Sequence, residues 1–151
     1  MSRSLLAVVI AASFTLIIAV SYADEAESKV KAVCPVSGKP IVKEHSLPYK
    51  ETAKVYFCCP NCPKAFEADT AKFAPKANLQ LVATEQAKEV KCPLSGKALD
   101  SEKSTKVAGV EVSFCCGNCL AAVNKAEGDE KVKLVFSDEA FKKGFELKKA
   151  K

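Results

Sequence analysis

The sequence predicts an α+β protein made of two small modules in tandem, each with a knuckle turn, a short β-hairpin and a helix, related by a pseudo-twofold axis. Two repeated stretches predict this arrangement. The segment YFCCPNC at residues 56–62 recurs as SFCCGNC at 113–119, and each copy follows an apolar strand-like run and precedes a helix-like segment. The turn CPVSGK at 34–39 recurs as CPLSGK at 92–97, and these four pieces contain all eight cysteines.

The spacing between the copies favours a duplication. Cys34 and Cys92 are 58 positions apart, and Cys58 and Cys115 are 57 apart. We therefore predict a first Cys-rich module over residues 33–90 and a second over residues 91–151. A module of about 55 residues buries little core and usually needs a disulfide or a metal ion to be stable. Four cysteines in each copy meet that expectation.

Residues 1–23 are typical of a signal peptide. Arg3 precedes an apolar run over residues 5–20, and small side chains follow at Ser21 and Ala23. The run is shorter than the roughly 20 residues that span a bilayer, so we predict cleavage after Ala23, with an uncleaved anchor as the alternative. We expect a periplasmic or secreted protein without a lipid anchor, because no cysteine lies at the cleavage point. Residues 24–32 are predicted to form a loose lead-in.

The charge pattern argues against a nucleic-acid partner. The formal net charge is +5, but Arg3 is the one arginine and every other cation is a lysine. Bidentate recognition of phosphate favours arginine, and no aromatic stripe lies beside the lysines. We therefore interpret the lysines as a solvated surface.

Local patterns predict the order of the elements. In the first half we predict a loop over 44–51, a strand over 54–57, a helix over 60–73 and a strand over 79–83. In the second half we predict a strand over 107–114, a helix from 117 to a break at 127–129, a strand over 132–136 and a last helix capped at 137. Pro60 suits a first helical turn, and Pro75 is expected to end or kink the first helix.

The cysteine spacing predicts one thiolate site in each module. A turn cysteine and two cysteines at a strand-to-helix junction can converge on one point. These are Cys34, Cys58 and Cys62 in the first half, and Cys92, Cys115 and Cys119 in the second. Backbone N–H groups at a helix start stabilise thiolates, and thiolates bind soft or borderline metals. The expected ligand is zinc or copper(I).

The vicinal cysteines Cys59 and Cys116 are the candidates for a fourth ligand. Ser37 and Ser95 stand where a second knuckle cysteine would complete a four-cysteine site. Neighbours on a strand point to opposite faces, so a vicinal pair reaches one ion only where the chain has already turned. Four thiolates would favour zinc, whereas three would favour copper(I), and the sequence leaves both open.

The alternative is a disulfide-stapled or thiol-redox interaction module without metal. Export to an oxidising compartment favours disulfides, and four cysteines in a module allow three pairings. Cys-x-x-Cys spacing occurs at residues 59–62 and 116–119. The chain has a single histidine, so a serine–histidine–acid set cannot recur in both copies, and we predict that the protein is not an enzyme.

These motifs resemble the YHS and TRASH-like family of small heavy-metal-associated treble-clef domains. The resemblance covers about residues 33–75 well and 91–126 less well. The aromatic-Phe-Cys-x-x-x-Cys core is matched by Cys58 and Cys62, and the cysteine about twenty residues upstream by Cys34. The typical YHS form has its upstream cysteine just before the turn glycine, where this chain has Ser37. The resemblance implies metal sensing, trafficking or metal-stabilised binding, and it leaves open a partner among other exported or membrane proteins.

Overall fold

The computed structural model describes residues 31–148, so the predicted signal peptide and most of the lead-in lie outside the described residues. Within this range the α+β class is confirmed, with five helices and three two-stranded antiparallel sheets. The elements in chain order are β1 (Val42–Tyr49), β2 (Ala53–Phe57), α1 (Asn61–Ala68), α2 (Thr70–Ala83), β3 (Ala87–Glu89), β4 (Asp100–Val107), β5 (Val110–Phe114), α3 (Gly117–Lys125), α4 (Gly128–Phe136), α5 (Asp138–Gly144) and β6 (Phe145–Leu147). None of the helices in this range is long and apolar enough to cross a membrane.

The two hairpins, β1–β2 and β4–β5, have the same register. Ser46 lies opposite Tyr56, and Ser104 lies opposite Ser113. In both ladders the register shifts just before the serine, so each first strand carries an irregularity at the same place. Such irregularities bend a strand and change the direction of the side chains beyond the bend. Each hairpin therefore ends next to its cysteine pair in the same way.

The first helix is shorter than predicted. The sequence suggested one helix over residues 60–73, but α1 ends at Ala68 and α2 begins at Thr70. Asp69 separates them with φ −148° and ψ 69°, and its side chain accepts a hydrogen bond from Lys72 N at 3.1 Å. Pro75 does not end the helix but lies inside α2. Its missing N–H costs the helix one backbone hydrogen bond.

Two predicted strands are helices. Residues 79–83 belong to α2, and residues 132–136 belong to α4. In α4 the buried residues are Val132, Val135 and Phe136, whereas Leu134 is 40% exposed. This spacing of three and four residues is the apolar face of a helix. Leu134 lies off this face, whereas a strand would have placed it on the same side as Val132 and Phe136.

The predicted loop over residues 44–51 is mostly strand, since β1 continues to Tyr49. Pro48 is tolerated because a two-stranded sheet has two free edges, where a missing N–H breaks no ladder. The strand predicted over 107–114 is divided by a turn at Ala108 and Gly109, which have φ 48° and 91°. Only β5 continues to Phe114. The strand at 54–57 and the cap at Ser137 are confirmed. The helix break predicted at 127–129 lies at 126–127, because α4 already begins at Gly128.

The two halves share one hydrophobic core. Helices α2 and α4 pack against each other, and the buried cluster contains Leu81 from the first half and Phe136 from the second. Asn78 of α2 is fully buried and donates to Phe136 O at 2.8 Å and to Asp138 Oδ1 at 3.0 Å. In addition, β3 between the halves pairs with β6 near the C-terminus. The packing of each half therefore depends on the other.

Candidate metal centres

Each centre begins with a knuckle turn. The Cys34 N–H donates to Lys39 O at 2.8 Å, and the Gly38 N–H donates to Cys34 O at 2.8 Å. Gly38 has φ 71°, a left-handed conformation that glycine adopts without steric cost. The second turn closes in the same way around Cys92, with Gly96 at φ 72°. The backbone of the turn thus fixes the first cysteine of each centre.

Three sulfurs meet in the first half. Those of Cys34, Cys58 and Cys62 all lie within 4.8 Å of one another. Cys34 comes from the turn, Cys58 follows β2 and Cys62 lies in the first turn of α1. The Cys58 and Cys62 sulfurs are 3.6 Å apart. The convergence expected from the sequence is therefore present.

The second half repeats this cluster. The sulfurs of Cys92, Cys115 and Cys119 lie within 4.8 Å of one another, and those of Cys115 and Cys119 are 3.9 Å apart. Here α3 supplies the third cysteine. We call these two sets of three sulfurs the first and second triads.

The sulfur separations fit a shared metal ion. A metal–sulfur bond of about 2.3 Å implies sulfur–sulfur distances of about 3.8 Å at a tetrahedral ion and about 4.0 Å at a trigonal one. In each triad one sulfur–sulfur contact, of 3.6 or 3.9 Å, is close to both values, and the other pairs lie within 4.8 Å. Each triad can therefore bind one ion with small side-chain movements.

The vicinal cysteines lie beside the triads rather than within them. Cys59 Sγ is 3.4 Å from Cys62 Sγ, and Cys116 Sγ is 3.7 Å from Cys115 Sγ. The structure thus brings six of the eight predicted ligands into two triads. Each remaining cysteine lies next to two members of its triad, Cys59 next to Cys62 and Cys58, and Cys116 next to Cys115 and Cys119. All eight cysteines are free thiols.

A serine hydroxyl contacts a sulfur in each centre. Ser37 Oγ lies 3.0 Å from Cys58 Sγ, and Ser95 Oγ lies 3.0 Å from Cys115 Sγ. The sequence pattern marked these serines as positions where a ligand is missing. In the structure each serine instead forms a hydrogen bond with a neighbouring sulfur. The recurrence of serine in both turns was the sequence signal that could have indicated this role.

The pKa values of the two knuckle cysteines, Cys34 and Cys92, are lowered, which favours their thiolate forms. Burial raises the pKa of Cys34, but hydrogen bonds from the Ser37 side chain and from three backbone amides outweigh it and bring the pKa to about 7. The same causes, with Ser95 in the place of Ser37, bring the pKa of Cys92 to about 7. Each knuckle therefore offers a substantial thiolate fraction near neutral pH.

The helix cysteines show the opposite trend. Burial and the neighbouring sulfurs raise the pKa of Cys62, and the same effects raise the pKa of Cys119 to about 12. The Cys62 side chain and nearby backbone amides lower the pKa of Cys59. The Cys119 backbone amide and neighbouring thiols lower the pKa of Cys116. A bound cation would stabilise the additional thiolates and reverse the unfavourable shifts.

Two further side chains hold the strands that lead into the centres. Gln80 Oε1 accepts from Tyr56 N at 2.7 Å, and Gln80 Nε2 donates to Tyr56 O at 2.8 Å. In the second half, Glu89 Oε2 accepts from Ser113 N at 2.9 Å. The buried Glu89 Oε1 finds no hydrogen-bond partner among the described residues. Burial raises the pKa of Glu89 to about 7.

Comparisons of the chain with protein-family models, with curated proteins and with solved structures gave no significant match. The resemblance to the YHS and TRASH-like family therefore depends on the cysteine and turn motifs alone. The two triads are accordingly the basis on which a function can be assigned.

Proposed function

We propose that this protein is an exported metal-binding protein with one thiolate site in each repeat, and that it is not an enzyme. The ion is zinc or copper(I), and the role is metal binding and trafficking or a metal-stabilised interaction. The observation that carries the proposal is the presence of two equivalent cysteine triads at metal-binding separations. Chance would not place three sulfurs from a turn, a strand end and a helix together twice.

The surroundings of the triads support ion binding. Cys34 and Cys92 are fully buried, and hydrogen-bond donors surround both sulfurs. Hydrogen bonds to a thiolate favour its charged form, which is the form that binds metal. Each triad therefore contains one fully buried sulfur whose charged form is stabilised by hydrogen bonds.

The module type and the location are parts of the same proposal. A knuckle ligand, a hairpin and ligands at a helix start resemble a treble clef, and we propose that both halves are such modules. Export is supported by the composition of residues 1–23, which resembles a cleaved signal peptide.

Metal analysis of the protein purified without a tag tests the proposal. After incubation with zinc or copper(I) under reducing conditions, we expect two ions per chain by elemental mass spectrometry. Cys34→Ser and Cys92→Ser should each lower this to one, and each variant serves as the control for the other. The double variant should retain none.

A folded protein that binds no zinc or copper(I) would refute metal binding. Eight cysteines paired in four disulfides would favour the disulfide alternative instead. The shortest sulfur–sulfur contact is 3.4 Å, well beyond the roughly 2.05 Å of a disulfide.

A further inference from the structure

Cys59 lies against a member of the first triad. Its sulfur is 3.4 Å from that of Cys62, and the turn between them is closed by a hydrogen bond from Cys62 N to Cys59 O at 3.3 Å. Cys62 is 7% exposed, whereas Cys59 is only partly buried. A reagent from solvent can therefore reach Cys59 more easily than the buried triad member beside it.

The second half differs at the same place. The sulfur of Cys116 contacts that of Cys115, at 3.7 Å, and also neighbours that of Cys119. Cys116 is extended, with φ −164° and ψ 165°, and its carbonyl accepts from Leu120 four residues on. In the first half the corresponding carbonyl, that of Cys59, accepts from Cys62, three residues on, because Pro63 stands in the place of Leu120 and has no N–H to donate. The 59–62 turn is therefore tighter than its counterpart in the second half.

We propose that Cys59 and Cys62 form a redox-active pair, and that their oxidation by a low-molecular-weight disulfide releases the metal ion from the first triad. This inference depends on the proposed function, because it describes how one of the two centres is regulated. The second centre keeps its ion under the same conditions.

The chemistry balances as two thiol–disulfide exchanges. The Cys59 thiolate attacks the oxidant disulfide, forms a mixed disulfide and releases one thiolate of the oxidant. Cys62 then leaves the metal and attacks the Cys59 sulfur, which releases the second oxidant thiolate. The two cysteines lose two electrons, the oxidant gains them, and any thiol proton passes to water or to the released thiolates.

The movement required is small. A contact of 3.4 Å must shorten to about 2.05 Å, which rotation of the two side chains can supply because both lie on one tight turn. The ion then keeps two of its three triad sulfurs, those of Cys34 and Cys58, which leaves it further from the four ligands of a closed zinc site. Loss of a buried triad ligand therefore opens the centre.

The test uses the full protein loaded with zinc, which does not itself change oxidation state. Zinc content before oxidation tests the proposed function, and zinc release after addition of glutathione disulfide tests the inference. We expect release of one of the two ions, measured with a chromophoric indicator. Peptide mapping should find a Cys59–Cys62 disulfide in the same sample.

Two variants make the result specific. Cys59→Ser should still bind two zinc ions. It should release the ion of the first triad at least about tenfold more slowly, because the thiol that attacks the oxidant is missing. Cys116→Ser is the matched control and should behave like the unsubstituted protein. Unchanged release from Cys59→Ser, equal release from both centres, or a bridge that excludes Cys59 would each overturn the inference.

Discussion

Gly144, the last residue of α5, sets the position of the second knuckle turn. A Cβ built there would lie 2.7 Å from Pro93 Cα, 2.8 Å from Lys91 O and 2.9 Å from Pro93 Cβ. The Gly144 carbonyl accepts from Val90 N at 2.8 Å and from Lys91 N at 3.1 Å. The end of the helix is thus bonded to the segment that leads into Cys92. We predict that Gly144→Ala displaces this segment and weakens the second centre.

The magnitude can be worked from these distances. Carbon atoms pack best at about 3.5–4.0 Å, so the new methyl group forces a shift of about 1 Å. Two of the three neighbours are backbone atoms, which cannot rotate away. Overpacking of this kind costs about 1–3 kcal/mol, against the roughly 0.5–1 kcal/mol that alanine normally contributes over glycine inside a helix. We expect a net loss of about 1–2 kcal/mol of folding free energy.

Urea unfolding of the metal-free and metal-loaded forms measures the stability. Zinc titration in a Cys34→Ser background reports the affinity of the second centre alone. Gly117→Ala is the matched control, because a Cβ at Gly117 meets no heavy atom of the described residues within 4 Å. If Gly144→Ala matches Gly117→Ala in both assays, the steric argument is wrong. Equal weakening of the first centre, titrated in a Cys92→Ser background, would also refute the coupling to Cys92.

Three other substitutions test features outside the triads. Asn78→Leu removes the buried donor to Phe136 O and should cost about 2–4 kcal/mol in urea unfolding; a loss below about 1 kcal/mol would contradict this role. Phe66→Ala removes a buried ring that packs on Phe57 at 5.5 Å and should cost about 3–5 kcal/mol by the same measurement. Burial gives Glu89 a pKa of about 7 in the folded state, against an ordinary value of 4.5. The stability that its protonated carboxyl group contributes is therefore fully present below pH 4.5 and is lost as the pH rises through 7. We expect a loss of about 1–2 kcal/mol, because partial exposure screens the charge, and Glu89→Gln should remove this pH dependence in thermal unfolding; an unchanged profile would show that another group is responsible.

The convergence of the triads could be predicted because its determinants are local and occur twice. Cys34 precedes a proline and a turn glycine, and Cys62 follows a proline at a helix start. Turn chemistry and helix-start preferences act over a few residues, so they can be read without tertiary information. The nearly constant offset between the copies, 58 for the turns and 57 for the hairpins, then indicated which turn belongs with which hairpin.

The end of α2 and the whole of α4, which were predicted as strands, could not be identified as helices in the same way. A short apolar run is compatible with a strand or with a buried helix. In α2 the decision depends on a capping side chain at Asp69 and on burial of Ala77 and Leu81 on one helical face. That burial depends on α4, which is distant in sequence. Tertiary packing therefore decided the secondary structure here.

The two side chains that hold the hairpins in place could not be found by comparing the two copies of the repeat. Gln80 holds the strand before Cys58, and Glu89 holds the strand before Cys115. These two side chains come from α2 and β3, so they do not occupy equivalent positions in the two copies. A search for repeated residues cannot find a role that is performed by different residues in each half.

The common core has a consequence for any shortened form of this chain. A fragment with one copy would expose the apolar side of α2 or α4, since Leu81 and Phe136 are buried in a single cluster. The remaining half would also lose the β3–β6 pair. We expect such a fragment to associate with a second molecule of itself, with the missing copy replaced by an identical one.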